Sequence, residues 1–254
     1  MKIAVLLKQT FDTEEKVLLQ NGEIVEDGVK FVINPYDEYA VEEAIRIKEQ
    51  LGAHIIVISA GPPRAAEALR TALAMGGDEA VLIDGEQLPG DEHVVAQALA
   101  AYLAGQQADL ILGGNFSVDN GAGQIAVRVA ELLQLPHVSA ITKLELTGAS
   151  SAIAERDAEG DLERIEVQLP AVFTAQQGLN EPRYPSLPGI MKAKKKPLHV
   201  ITPDNLQLSA EQLQAKTCRV GLAMPPARAA GRLLQGQLSA QVAELAELLR
   251  AQQN

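Results

Sequence analysis

The first half of the chain alternates short apolar runs with longer stretches of helical periodicity. The runs are continuous rather than alternating, which is typical of strands buried on both faces of a parallel sheet. They occur at Ile3–Leu7, Ile55–Ile58, Ala80–Ile83 and Asp109–Leu112. The helical stretches lie at Asn34–Leu51, about 64–75, Glu92–Gly105 and about Gln124–Leu135. This alternation predicts a Rossmann-like three-layer α/β domain with a mostly parallel sheet, rather than a barrel.

The helix that follows Asn34 has the clearest boundaries in the sequence. Asn34 can cap it, Pro35 suits its first turn, and Asp37 and Glu38 complement the helix dipole. Gly52 is expected to end it. Capping alone explains these residues, so the start of this helix does not by itself require a ligand.

Two stretches of strand-like sequence depart from the βα alternation. Val17–Val25 reads as a hairpin beside the sheet, with Asn21-Gly22 as its type I′ turn. From Pro136 onward strands follow one another without intervening helices, which predicts an antiparallel extension at one sheet edge. These strands are expected at Val138–Leu146, Ile153–Glu155, Ile165–Leu169 and Val172–Thr174.

The last quarter of the chain contains an irregular segment and a polar tail. Gly178–Gly189 holds three prolines and two glycines and is followed by the lysine run Lys192–Lys196. Such a segment is either a connector or an exposed docking surface. A final helix at Ala240–Ala251 carries one apolar stripe, which a partner subunit is expected to cover. The expected organisation is therefore a domain over 1–196 and a C-terminal arm over 197–254.

Composition narrows the class of protein. A net charge of −11 and a pI near 4.9 argue against a nucleic-acid binder, whose surface would be basic. The single Cys218 excludes an internal disulfide and a cysteine-based metal site. We find no signal peptide before the first strand and no apolar run long enough to span a bilayer. These features predict a soluble protein of a reducing compartment, the cytoplasm of a bacterial-type cell.

The candidate binding element is the stretch Leu110–Ile125, in which an apolar run ends in two glycines and a second Gly-rich turn leads into a helix. Glycines let backbone N–H groups approach a phosphate, and a helix N-terminus adds unpaired donors. Lys8 follows the first strand at the sheet edge where ligands of α/β proteins bind. The loop matches neither common phosphate-binding motif, and a ligand-free tight turn explains it equally well.

Side chains arranged for catalysis are not evident in the sequence. There is no Ser/His/Asp or Cys/His arrangement, and the four histidines lack metal-ligand spacing. No carboxylate pair stands out from the polar helix faces. The expected protein therefore binds and docks rather than catalyses with its own side chains.

Several separated motifs resemble the beta subunit of electron transfer flavoprotein, in the right order and from end to end. They are Val32–Ala44, Arg70–Gly76, the loop Asp119–Gln124, the stretch Ala154–Thr174, and Leu179–Tyr184 followed by Ile190–Lys196. The resemblance implies a heterodimer with a larger alpha subunit that holds most of the FAD contacts. Electrons would arrive from flavin dehydrogenases, such as the acyl-CoA dehydrogenases of fatty acid oxidation, and leave to a membrane quinone oxidoreductase.

The resemblance also implies a structural AMP in this chain. Its contacts would be Leu6, Asn34, Pro35, Tyr36, Asp37, Ala60, Asn115, Phe116, Ser117, Val118, Asp119, Asn120, Gly121, Ala122, Gly123, Gln124, Ile125 and Ala126. These residues lie at the carboxyl ends of predicted strands or at helix starts, which agrees with the interpretation of the loop.

Further roles carried by the resemblance concern partners. The recognition loop that anchors the dehydrogenase would be Leu179, Asn180, Glu181, Pro182, Arg183 and Tyr184, with Leu179 as the apolar plug. Glu145 is the nearest match to an acidic residue that pairs with the mobile flavin domain. Phe11 would lie near the FAD of the partner, and the C-terminal helix would wrap the alpha subunit.

One departure from the family pattern keeps alternatives open. AMP-binding relatives continue the loop as Gln-Thr-Gly-Gln, whereas here Gln124 is followed by Ile125, Ala126 and Val127. Side-chain contacts from those positions are lost, so only backbone contacts would remain. The alternatives are a bifurcating-type beta subunit with a second FAD in place of AMP, whose Asp-Thr-Ala-Gln run is missing here, or a stand-alone adenine-nucleotide-binding or -hydrolysing α/β protein.

Overall fold

The computed structural model describes every residue except Gln87, Pro89, Ala149, Ala229 and 252–254. The strands are β1 Lys2–Leu6, β2 Gln9–Phe11, β3 Leu19–Gln20, β4 Glu23–Ile24, β5 Phe31–Ile33, β6 His54–Gly61, β7 Glu79–Asp84, β8 Leu110–Gly114, β9 His137–Leu146, β10 Ser151–Ala158, β11 Asp161–Gln168, β12 Ala171–Ala175 and β13 Leu198–Ile201. The α-helices are α1 Pro35–Leu51, α2 Ala66–Met75, α3 Glu92–Ala104, α4 Ile125–Leu132, α5 Leu187–Ala193 and α6 Leu238–Ala251. Short 3₁₀ helices lie at Pro63–Ala65 and Pro203–Leu206.

Nine of these strands form one sheet in the order β11-β10-β9-β12-β8-β1-β6-β7-β13. The pairs from β9 through to β13 are parallel, and β10 is antiparallel to both β9 and β11. The sheet thus consists of a parallel body with an antiparallel edge, as the sequence predicted. Residues alternate between its two faces, so that Ile55 and Val57 join one core while Ile56 and Ile58 join the other.

The two cores give the molecule its three layers. Residues of α1, α2 and α5 pack on one face of the sheet. Residues of α3 and α4 pack on the opposite face. Leu206, Leu208 and Leu213, which follow β13 in the chain, pack there too. Both faces of the parallel body are therefore covered, which explains why its strands read as continuous apolar runs. The Rossmann-like, three-layer prediction is confirmed.

Three elements differ from the expectation. The strand β12 lies inside the parallel body between β8 and β9 and not in the antiparallel extension. All five of its residues are buried, which is the pattern of a parallel interior strand. The strand β13 adds a parallel edge strand beside β7. The helix α5 forms where an irregular segment was expected, because the Ser186 side chain caps it by accepting from the Gly189 N–H.

By its internal contacts the chain divides into two compact units. The main unit comprises Met1–Leu18 and Ile24–Val220, so it continues past the boundary expected at residue 196. The second unit comprises Leu19–Glu23 and Gly221–Asn254. At the predicted hairpin, β3 pairs with β4, and Asn21 and Gly22 both have positive φ, as a type I′ turn requires.

The second unit contains one helix, α6, among its described residues. Its apolar stripe is exposed at Val242, Leu245 and Leu249. Within the unit Arg232 pairs with Glu244. The predicted helix is thus confirmed, and the expectation that a partner covers its stripe stays a prediction.

Candidate functional site

The strand order reverses between β1 and β8 at the centre of the sheet. The α1 and α2 crossovers lie on one face of the sheet, and α3 and α4 lie on the other. In open α/β sheets such a reversal leaves a crevice at the carboxyl ends of the strands. A cavity of about 330 Å³ lies there, and its lining includes Leu6 of β1, Ala60 of β6 and Gly113 of β8.

Most of the predicted nucleotide contacts lie around this cavity. Those that line it are Leu6, Asn34, Asp37, Ala60, Asn115, Phe116, Ser117, Asn120, Ala122, Gly123, Gln124, Ile125 and Ala126. Residues far apart in sequence thus converge at one sheet edge, which the positions of the strand ends had predicted. The predicted contacts Pro35, Tyr36, Val118, Asp119 and Gly121 are not among the lining residues.

The Asn34 side chain holds the Gly-rich loop in place. Its amide donates to the Phe116 carbonyl at 2.9 Å, and its Oδ1 accepts from the Val118 N–H at 3.1 Å. The side chain makes no capping bond to α1, which corrects the expectation that it caps this helix. Asn34 is fully buried, so its polar atoms need partners, and the loop supplies them.

The Asp37 carboxylate joins the ends of two strands. Its oxygens accept from the Lys8 N–H at 2.6 Å and from the Gly114 N–H at 2.9 Å. Burial raises the pKa of Asp37 to about 7, against the effect of these hydrogen bonds. Gly114 is the residue type required here, because a Cβ at that position would overlap the Asp37 carboxylate and Tyr36. The carboxylate therefore fixes the floor of the cavity.

The loop presents its backbone to the cavity. Gly121 and Gly123 both have positive φ, a conformation that glycine adopts without strain. The N–H groups at the start of α4 point along the helix axis and lack partners within the helix. The N–H groups of Gly121 and Ala122 donate within the loop, to the Ser117 carbonyl and to Asn120 Oδ1. The donors suited to an anion are therefore those at the start of α4, where Ile125 and Ala126 line the cavity.

The predicted contacts outside the lining still support the loop. Lys8 Nζ pairs with Asp119 at 2.7 Å and also approaches Ser117 Oγ at 3.3 Å. The ring of Tyr36 packs on Phe116 with a centroid separation of 4.1 Å. Asp119 and Tyr36 thus support the loop from outside the lining, whereas their partners Lys8 and Phe116 are themselves lining residues.

The β7–α3 connection forms a wall of the cavity that was not predicted from the sequence. Gly85, Leu88, Asp91, Glu92 and Val95 line the cavity from this side. The signal was available, since β7 ends at the same sheet edge and α3 begins there. The Asp91 side chain caps α3 by accepting from the Val94 N–H, and it also accepts from the N–H groups of Lys216 and Thr217.

The proline-rich segment is irregular, as predicted, but Leu179 is not an exposed plug. Its side chain is 8% exposed and packs in the core on the α1 face of the sheet. The physical reason is that the segment runs along α1 and turns this side chain inward. A buried leucine cannot enter a partner's pocket without leaving the core, so the expected role of Leu179 needs correction.

Polar residues of this segment bind it to α1. The Arg183 guanidinium forms two hydrogen bonds to the buried Glu42 carboxylate, through Nε at 2.8 Å and NH2 at 2.9 Å, and the Arg183 N–H donates a third at 3.2 Å. It also pairs with Glu49. Asn180 donates to the Tyr39 carbonyl and to Glu43. These contacts explain the Asn and Arg positions of the motif as structural anchors.

The exposed apolar residues of this region follow the anchors. Tyr184 is 95% exposed, Leu187 79%, Met191 72% and Ile190 44%. They lie at the end of the segment and on α5, directly before exposed lysines of the Lys192–Lys196 run. We call Tyr184, Leu187, Ile190 and Met191 the apolar face.

Two further predicted residues have clear positions. Glu145 is exposed on β9, within the antiparallel extension as expected, opposite Ile153 of β10. Phe11 lies on β2 beside Phe31, with ring centroids 6.4 Å apart. The Arg64 guanidinium stacks over the Phe31 ring at 3.7 Å. The roles expected for Glu145 and Phe11 stay predictions.

The described residues contain neither a metal-binding cluster nor a membrane-spanning helix. No group of three or more His, Cys, Asp or Glu side chains among them could hold a metal ion. No helix built from them is long and apolar enough to cross a membrane.

The fold and cavity define a class: a doubly wound α/β protein with a nucleotide-sized crevice at its topological switch point. Residues 21–206 match the family model of the electron transfer flavoprotein domain. The chain is 52% identical to the electron transfer flavoprotein subunit beta of Bacillus subtilis over 99% of this chain and 98% of that protein. The human subunit of the same name is 36% identical, with 91% of each chain covered.

A third relative is the caffeyl-CoA reductase-Etf complex subunit CarD of Acetobacterium woodii. It is 36% identical over 96% of this chain and 95% of that protein. The chain belongs to the electron transfer flavoprotein family, among its beta subunits. The family resemblance drawn from the separated motifs is therefore confirmed.

Proposed function

We propose that this chain works as the beta subunit of a heterodimer that carries electrons on FAD. The alpha subunit would hold most of the flavin contacts. Electrons would pass from flavin dehydrogenases, such as acyl-CoA dehydrogenases, to a membrane quinone oxidoreductase. The observation that carries the proposal is the cavity at the β1/β8 switch point in a chain of this family.

In this proposal the cavity holds a structural AMP. The fit rests on the geometry of the site: Leu6, Ile58 and Leu99 give it apolar walls, and the loop offers backbone donors. Backbone donors are compatible with Ile125 and Val127 at positions where AMP-binding relatives have polar side chains. The bound nucleotide would tie the Gly-rich loop to the sheet and contribute no reacting group.

The second part of the proposal concerns the dehydrogenase. We assign its docking to the apolar face, not to Leu179, because the apolar face is exposed and Leu179 is buried. Anchors at Asn180 and Arg183 hold the face in one position on α1, which lowers the ordering cost of binding. The apolar stripe of α6 is the surface that we propose for the alpha subunit.

The experiment that tests the proposal identifies the nucleotide released on denaturation. The isolated full-length chain and its complex with a co-purifying partner are denatured separately, and the supernatants are separated by chromatography. The proposal expects stoichiometric AMP from the isolated chain, and AMP with one FAD from the complex. A stoichiometric flavin in the isolated chain would establish the bifurcating alternative instead.

The same preparations test the class of protein. Co-purification with a larger yellow flavoprotein supports the electron-transfer role. Turnover of ATP by the isolated chain would instead support a stand-alone nucleotide-hydrolysing protein. A colourless isolated chain without nucleotide and without a flavoprotein partner would contradict the proposal as a whole.

A further inference from the structure

The charges around the cavity are unusual for a nucleotide site. Among the described lining residues there is one cation, Lys8, and there are three carboxylates, Asp37, Asp91 and Glu92. Nucleotide sites that hold several phosphates normally gather several cations or a metal ion. In this cavity the carboxylates outnumber the cations.

Two of the three carboxylates are occupied by the protein's own backbone. Asp37 accepts from two N–H groups at the strand ends. Asp91 accepts from Val94 at the start of α3 and from the segment at Lys216 and Thr217. The hydrogen bonds of Asp91 compensate its charge, and burial raises the pKa of Asp37 to about 7, so that it carries less than a full negative charge at neutral pH.

Glu92 differs from these two residues. In the part of the chain that the structure describes, its side chain has one hydrogen-bond partner, the Asn120 amide at 3.2 Å. Asn120 belongs to the Gly-rich loop and also accepts from Ser117 Oγ at 2.7 Å. The Glu92 carboxylate thus stands at the loop that would bind a phosphate, and it is half-buried there.

The available positive charge is small. The ammonium of Lys8 already pairs with Asp119 at 2.7 Å, so it is only partly free to neutralise a ligand. The loop N–H groups and the α4 dipole suit one phosphate at a helix N-terminus. A second phosphate would add negative charge beside Glu92 without a further cation to balance it.

We infer that Glu92 restricts this cavity to adenine nucleotides with a single phosphate. It excludes ADP and ATP, and it excludes dinucleotides such as FAD, which also bring a second phosphate into the cavity that Glu92 lines. The cavity volume of about 330 Å³ agrees, because it lies at the low end of the range for ligand pockets. This inference rests on the proposed nucleotide function and adds its specificity.

The test measures AMP, ADP and ATP binding by calorimetry. The full-length chain is freed of nucleotide by dialysis in urea and refolded. Glu92→Gln keeps the shape and the contact to Asn120 but removes the charge, and Glu92→Lys reverses the charge. Glu131→Gln is the matched control, because Glu131 is an exposed carboxylate on α4, outside the cavity lining.

The wild type and Glu131→Gln are expected to prefer AMP over ADP by at least tenfold. The preference should fall by about tenfold in Glu92→Gln and further in Glu92→Lys, since like charges at close range are repelled strongly in a partly buried site. The AMP affinity of Glu131→Gln should stay within about threefold of the wild type, because Glu131 lies outside the cavity lining.

Equal affinity of the wild type for AMP and ADP would overturn the inference and leave the proposed function intact. An undiminished preference in both Glu92 variants would overturn it in the same way. Failure of the refolded wild type to bind any adenine nucleotide, or recovery of FAD from the isolated chain, would overturn the inference together with the proposed AMP site.

Discussion

The Gly-rich loop and the proline-rich segment are both irregular, and side chains of α1 or of the residue before it hold both of them. At the start of α1, Asn34 and Asp37 make neutral or charge-assisted hydrogen bonds to loop and strand backbone. Further along the helix, Glu42 and Glu49 hold Arg183 by ion pairs. One helix therefore positions two surfaces that are proposed for different partners.

The two regions differ in what they leave free. The loop and the start of α4 surround a concave cavity. The proline-rich segment buries its first leucine and presents the apolar face outward. A concave polar site suits a small ligand, and a convex apolar face suits a protein. If the two regions are as separate as this geometry indicates, a substitution in one of them should leave the role of the other unchanged.

The largest expected effect on stability comes from Asp37, at the floor of the cavity proposed for the nucleotide. Asp37→Ala removes the acceptor for the N–H groups of Lys8 and Gly114, which then lie buried without partners. The expected loss in free energy of unfolding is roughly 2–6 kcal/mol, about 1–3 for each orphaned donor. Urea unfolding measures it, with the exposed Glu67→Ala as the control. A loss no greater than that of the control would contradict the role of Asp37 as the link between strands.

Two leucines of the proline-rich segment, Leu179 and Leu187, should have contrasting roles. Leu179→Ala should destabilise the protein by roughly 2–4 kcal/mol, because it leaves a cavity in the core. Leu187→Ala should leave stability unchanged but slow electron uptake from a dehydrogenase about tenfold, as expected for an exposed interface anchor. Urea unfolding and stopped-flow flavin reduction in the complex separate the two effects. The reverse outcome, with Leu179 governing uptake, would restore the original assignment.

This contrast shows which features of the structure could be predicted from the sequence and which could not. Continuous apolar runs were enough to predict the parallel body, and the Gly-rich loop was enough to find the cavity. Motif similarity located the segment proposed for docking but could not say which of Leu179 and Leu187 faces outward. That orientation depends on ion pairs between residues far apart in sequence, such as Arg183 with Glu42.

The placement of β12 and β13 was missed for a related reason. The all-buried run of β12 carries the parallel-strand signal, but its neighbours in sequence are antiparallel strands. The strand β13 is short and half-exposed, and only its pairing with β7 identifies it. Local pattern gives the type of element, whereas position in the sheet is decided by long-range pairing.

A smaller effect is expected where the two regions meet on α1. Arg183→Met leaves the buried Glu42 carboxylate without its cation, and we expect a loss of about 1–2 kcal/mol, reduced by the partial exposure of Arg183. Arg46→Met, which changes an arginine of α1 itself, is the control. Nucleotide content should not change, while docking should weaken as the segment loosens. Loss of nucleotide from Arg183→Met would show that α1 couples the two regions.

The last prediction concerns how stability at the cavity floor depends on pH. Burial raises the pKa of Asp37 from 3.8 to about 7, so between these values the folded chain holds a proton that the unfolded chain has released. The stabilisation is therefore full below the unfolded pKa and is lost as pH rises towards 7. The other carboxylates titrate in both proteins, so subtracting the Asp37→Asn profile from the wild-type profile isolates this slope. Urea unfolding across the interval measures it, and parallel profiles for the two proteins would mean that Asp37 is already ionised at low pH. In that case its hydrogen bonds to Lys8 and Gly114 would outweigh the cost of burial, and the floor of the cavity would carry a fixed negative charge.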